Sequence, residues 1–172
     1  MSSPTALIRA CFLFLTCGLF SGCGATTFDG HVYENADLSF RLADVPSGWR
    51  RIDADDALLA FRDDANLASV VLNGRCGKDG DDVPLVALTH HLFLQFTDRV
   101  IESEQKISLD GREALHTELT AKLDGVPMHF VVFVLKKNGC VYDFARISPP
   151  NPARESRDRF IQFVQGFSTI AP

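Results

Sequence analysis

Three dipeptides, Asp110-Gly111, Asp124-Gly125 and Asn138-Gly139, each separate two runs rich in β-branched, aromatic or aliphatic residues. In a two-residue hairpin turn both central residues take positive φ, which glycine adopts freely and Asp and Asn tolerate. The spacing therefore predicts four strands, near 100–109, 112–123, 126–137 and 140–148, joined as an antiparallel meander. In the second, Leu115, Leu119, Ala121 and Leu123 share one face, while Ala114, His116, Glu118, Thr120 and Lys122 share the other. That is the alternation of a half-buried strand with a polar stripe toward solvent. The third, Val126 to Leu135, is apolar on both faces, so each side of the sheet needs a cover there.

Two helices are available as covers. One follows the acidic cluster Asp79 to Asp82, opens near Pro84 and sets Leu85, Leu88, Leu92 and Phe96 on one stripe. The other is capped by Asn151, has Pro152 in its first turn and turns Phe160, Phe163, Val164 and Phe167 inward. Shorter strand candidates at 38–42, 49–52, 58–62 and 68–73 precede the meander. The class is α+β: an antiparallel sheet, the meander plus shorter N-terminal strands, packed with two helices. A chain of 172 residues, 46% apolar and 23% charged, supplies one core and needs no staple to fold. A net charge of −5 with no basic run argues against nucleic acid as a partner.

The front of the chain has a different character. Residues 1–22 carry one charge, Arg9, then the apolar run Ala10 to Phe20 and small residues. That is the layout of an export signal, and the run is well short of the ~20 residues a membrane-spanning helix needs. Leu19-Phe20-Ser21-Gly22-Cys23-Gly24 resembles the lipobox of bacterial lipoproteins. The resemblance implies a diacylglycerol on the Cys23 sulfur, removal of residues 1–22 and an acyl chain on the freed amine. Leu19 stands one place further from Cys23 than that family's pattern has it, with Phe20 in the usual Leu position. Cleavage after Ala25, releasing a soluble periplasmic chain, is the competing reading. With lipidation, residues 23–29 form a short lipidated tether and 30–172 a single α+β domain, anchored without spanning the membrane. The absence of Asp at position 24 implies, by the family's sorting rule, the outer membrane facing the periplasm.

Of the five cysteines, Cys11 and Cys17 leave with the signal and Cys23 takes the lipid. Cys76 and Cys140 remain, each at the end of a β-rich run, and in an oxidising compartment they are expected to form one disulfide. No Cys-x-x-Cys spacing marks a redox site.

Val45-Pro46-Ser47-Gly48-Trp49 resembles the start of the PsbP-like family, in which a Pro-x-Gly-Trp turn between strands precedes a helix and a long-stranded antiparallel sheet. A Phe-rich terminal helix such as Phe160 to Phe167 closes that fold too. The resemblance runs from Leu38 to Ile170 in order of elements. It implies a PsbP-like α/β sandwich and assigns no activity.

Motifs for chemistry are sparse. His116 and Glu118 project from one strand face and, with His129 from the next strand, are the candidate metal ligands; a plain polar stripe is the competing reading. No nucleophile elbow, phosphate loop or dinucleotide fingerprint occurs. The expectation is therefore a non-catalytic lipoprotein, with no cofactor and no resident metal, that serves as a binding or accessory module for another cell-envelope protein. Val126 to Leu135, should one side of it be uncovered, and the acidic loops near Cys76 are its candidate faces. The alternative is a small-ligand or lipid carrier with a pocket between helix and sheet, since fourteen Phe residues could line a cavity as well as fill a core.

Overall fold

All three Asp-Gly or Asn-Gly dipeptides turn hairpins, with φ of 48° and 69° at Asp110 and Gly111, 51° and 80° at Asp124 and Gly125, and 54° and 73° at Asn138 and Gly139. The structure, a computed structural model, describes residues 26–77 and 82–170. The hairpins join β7 (Thr97–Leu109), β8 (Arg112–Leu123), β9 (Val126–Lys137) and β10 (Cys140–Ser148). Upstream lie β1 (Thr27–Phe28), β2 (Val32–Glu34), β3 (Ser39–Arg41), β4 (Trp49–Ile52), β5 (Leu59–Asp63), β6 (Ala68–Cys76) and α1 (Leu85–His91). Downstream are α2 (Arg154–Gln165) and β11 (Ser168–Thr169).

Seven strands form one antiparallel sheet in the order β4-β5-β6-β10-β9-β8-β7. A smaller sheet, β1-β2-β3-β11, lies with α2 over one face. The side chains of β9 divide with the period of two that a strand imposes. Val131, Phe133 and Leu135 enter the core beneath α2 and the small sheet; Phe130, Val132 and Val134 enter the one beneath α1. The first core is largely aromatic, with Tyr33 stacked on Phe40 and with Phe61, Phe133, Phe144, Phe160, Phe163 and Phe167. The fold is therefore α+β, with helices on opposite faces of an antiparallel sheet.

Several expectations need correction. Helix α1 ends at His91, and a chain of turns carries Leu92 and Phe96 onto the second core, so the apolar stripe outlasts the helix. Asn151 does not cap α2: its φ of 56° is left-handed, whereas an N-cap is extended, and Ala153 takes that place without a side-chain bond. Both faces of β9 are covered from His129 to Leu135, so that stretch offers no free apolar side for docking; only its first residues, Val126 and Pro127, are exposed. The space between α2 and the sheet is filled by Phe160, Phe163 and Val164, so the pocket between helix and sheet of the carrier reading is not beneath α2. Thr27 and Phe28 pair with Glu34 and Tyr33, so the folded body begins ahead of residue 30 and takes in the end of the expected tether.

Candidate functional site: a polar layer beneath helix α2

Toward the Asp124-Gly125 end of the sheet, the aromatic core under α2 gives way to charged and polar side chains. Period-two geometry places them: Tyr142, Phe144, Arg146 and Ser148 share one face of β10, so the pattern that buries two aromatic rings buries a guanidinium as well. Arg146 is fully buried. Its Nη1 donates to Ser148 Oγ at 2.9 Å and its Nη2 to Ser156 Oγ of α2 at 2.9 Å. Ser156 in turn donates to Asp63 Oδ2 at 3.1 Å. Asn66 donates to both Asp63 oxygens, at 3.0 and 2.9 Å, and Arg159 Nη2 lies 3.5 Å away. Burial works to raise the Asp63 carboxyl, but the bonds from Asn66 and Ser156 and the Arg159 charge prevail and hold it below the usual carboxylate range. Burial pulls the Arg146 guanidinium down from its ordinary value, with Asp63 opposing.

The second half of the layer contains all three candidate metal ligands. Glu118 Oε1 lies 3.7 Å from His116 Nε2, and its Oε2 lies 3.9 Å from His129 Nε2. A register irregularity in β7 between Ile101 and Ser103 leaves Glu102 as the extra residue, and its Oε2 is 3.6 Å from His129 Nε2. Arg157 of α2 donates to Glu118 Oε2 at 3.4 Å. The His116 ring stacks on Phe133 with centroids 4.3 Å apart and planes within 4°.

The polar face of β8 is therefore not the solvent-facing stripe expected from its alternation, because α2 lies across it. His116 and His129 are only 6% and 5% exposed. Burial pushes both imidazoles down, against the nearby carboxylates and reinforced by Arg157, which favours the neutral rings. At 3.6–3.9 Å the rings make no hydrogen bond to those carboxylates. His116 Nε2 and His129 Nδ1 have no hydrogen-bond partner. His116, Glu118 and His129 are thus brought together, yet no group of three or more His, Cys, Asp or Glu is placed to hold a metal ion among the described residues. Arg157 instead takes the Glu118 carboxylate. Arg146 and Arg159 stand against Asp63 and Arg157 against Glu118, and this arrangement fixes α2 on the sheet.

Cys76 and Cys140 face each other directly in the β6–β10 register, with Cα atoms 4.0 Å apart, and are joined as a disulfide. Cys23, Asp79 and Asp81 lie outside the described residues. The far end of the molecule is more open: Leu94, Val100, Ile101, Leu123 and Val126 are exposed there, and Leu123 and Val126 are a cross-strand pair. No helix among the described residues is long and apolar enough to cross a membrane.

No protein-family model matches the chain, and no curated protein matches it in sequence. Solved structures do share its fold. Cyanobacterial PsbP (CyanoP) from Synechocystis sp. superposes with a TM-score of 0.56 at 12% identity, over 90% of this chain and 98% of its own. LpqN of Mycobacterium tuberculosis, a protein involved in cell envelope biogenesis, gives a TM-score of 0.56 at 12% identity over 78% of this chain and 86% of its own. The architecture is thus similar to that of PsbP-like proteins, and at these identities the likeness is one of fold.

Proposed function

We propose that this chain is an exported lipoprotein, held to the outer membrane through a lipidated Cys23, whose domain acts without catalysis as a binding or accessory module for another cell-envelope protein. The lipobox-like sequence at Phe20 to Cys23 supports the anchor, and the envelope role of LpqN supports the setting. One observation carries the reading: the two ends of the large sheet differ in kind. Phe28 packs on Phe61 of β5, with ring centroids 6.1 Å apart, and Cys23 precedes Thr27 by four residues, a reach of at most ~14 Å. β7 lies five strands beyond β5, about 24 Å at ~4.8 Å per strand. Val100 of β7 and Leu123 of β8, five and four strands from β5, thus sit beyond the anchor's reach, and Val126, paired with Leu123, borders them where a partner has access.

Recovery of the protein from detergent-solubilised membranes tests this reading. The wild type should bring down one partner in stoichiometric amount, and Leu123→Glu with Val126→Glu should lose it while remaining folded. Repeated recovery of the protein alone would count decisively against a docking role.

A further inference from the structure

The flank of α1 leaves a cleft of about 230 Å³ over β7 and β8. Phe93, Ile101 and Leu119 give it apolar walls, and Arg99 and His90 stand at its mouth. Thr89 and Thr117 complete the wall. Both are essentially buried, and neither hydroxyl has a hydrogen-bond partner. An unpaired buried hydroxyl costs about 1–3 kcal/mol. Two of them in the wall of one cleft leave an unmet polar demand beside an apolar groove.

The mouth sets the charge of that ligand. Arg99 Nη1 donates to Phe93 O at 3.2 Å, which holds the guanidinium over the opening and leaves its other donors unused. At the mouth His90 Nε2 lies 3.8 Å from Glu104 Oε2, and Arg99 has no carboxylate partner among the described residues. A forked cation at the rim of an apolar cleft suits a carboxylate on an apolar body. Volume sets the size. A 150 Å³ apolar cavity accommodates benzene, and drug-sized ligands fill roughly 300 Å³ or more. A cleft of about 230 Å³ therefore takes roughly eight to ten non-hydrogen atoms.

We propose that this cleft binds a small amphiphilic carboxylate, an acyl or aryl acid of about that size, with its head on Arg99 and its body among Phe93, Ile101 and Leu119. The assignment does not depend on the docking role above. The acid can arrive free, or the same apolar body can be the chain end of a membrane lipid, and the test separates the two.

The full chain, purified in a nonionic detergent, is labelled with an octanoate analogue carrying a photoreactive diazirine at its far end, and the labelled residues are mapped by mass spectrometry. Labelling is expected at Phe93, Ile101 or Leu119, to saturate, and to fall about ten-fold with excess octanoate but not with octanol. Arg99→Gln should reduce it about ten-fold, and Leu119→Trp, which fills the cleft, should abolish it. Because Leu119 is a core residue, the exposed Arg99 variant carries the test if the Trp variant does not fold. Labelling that does not saturate or lands elsewhere overturns the proposal. Equal competition by octanol overturns the carboxylate, and competition by a short-chain phosphatidylcholine but not by octanoate overturns the free acid as the source. None of these outcomes bears on membrane anchoring or partner recovery.

Discussion

Arg146 of β10 and Ser156 of α2 are joined by a 2.9 Å hydrogen bond in which both side chains are completely buried. The bond is the link through which a strand guanidinium, a helix hydroxyl and the Asp63 carboxylate hold α2 down. Ser156→Ala would leave one Arg146 N–H and one Asp63 lone pair without a partner. The expected loss is about 1–3 kcal/mol, or roughly 2–10 °C in Tm for a domain of this size, read from urea and thermal melts. A change within the error of those melts would show that the link contributes nothing to stability.

The histidines beneath α2 give stability a pH dependence of known sign. Unfolded imidazoles titrate near 6.5, and burial depresses both His116 and His129 in the fold. Between the two values the unfolded chain binds more protons, so stability rises with pH across that window. Their contribution is fully present above pH 6.5, declines as pH falls through the folded values and levels off below them. Urea melts from pH 8 to pH 5 should show this slope, and it should flatten in a His116→Gln, His129→Gln variant. Asp143 acts with the opposite sign, because burial pushes its carboxyl up, so Asp143→Asn should steepen any loss on acidification.

The disulfide closes a long stretch of chain. Cys76 and Cys140 are 64 residues apart. The chain-entropy model puts the stabilisation from such a loop at about 4 kcal/mol. Replacing both residues by Ser should lower Tm by several degrees or more, and reductant should then have no further effect. An unchanged Tm would mean that the denatured chain is already compact around this loop.

Gly166, just after α2, is required by space. A Cβ there would lie 2.5 Å from Ala43 Cβ and 2.7 Å from Ala43 N. Gly166→Ala should force the β3–β4 connection away from the end of α2, at a cost of about 1–3 kcal/mol in a denaturation experiment.

What the sequence makes legible follows from local rules. The three hairpins, the strands from Thr97 to Ser148 and the two-sided burial of β9 come from turn chemistry and period-two alternation, which depend on near neighbours. Each miss depends on long-range packing. Helix α1 stops at His91 because turn geometry carries Phe96 onto the core as well as another helical turn would. The small sheet was not expected, since β1 and β11 have two residues each and exist only by pairing with β2 and β3. In the polar layer, His116, Glu118 and His129 were visible as a group, but their burial depends on α2 lying across β8. Arg146, in phase with Phe144 and Tyr142, and the two-sided apolar run of the neighbouring β9 were the signs that this face would be covered.

Anchoring through Cys23 is most directly tested by the intact mass of the protein extracted from its native membrane fraction. The expected result is a chain beginning at Cys23, heavier than its peptide mass by a diacylglyceryl group and one further acyl chain, and absent from the aqueous fraction. An unmodified chain beginning at Thr26, recovered in the aqueous fraction, would contradict the account.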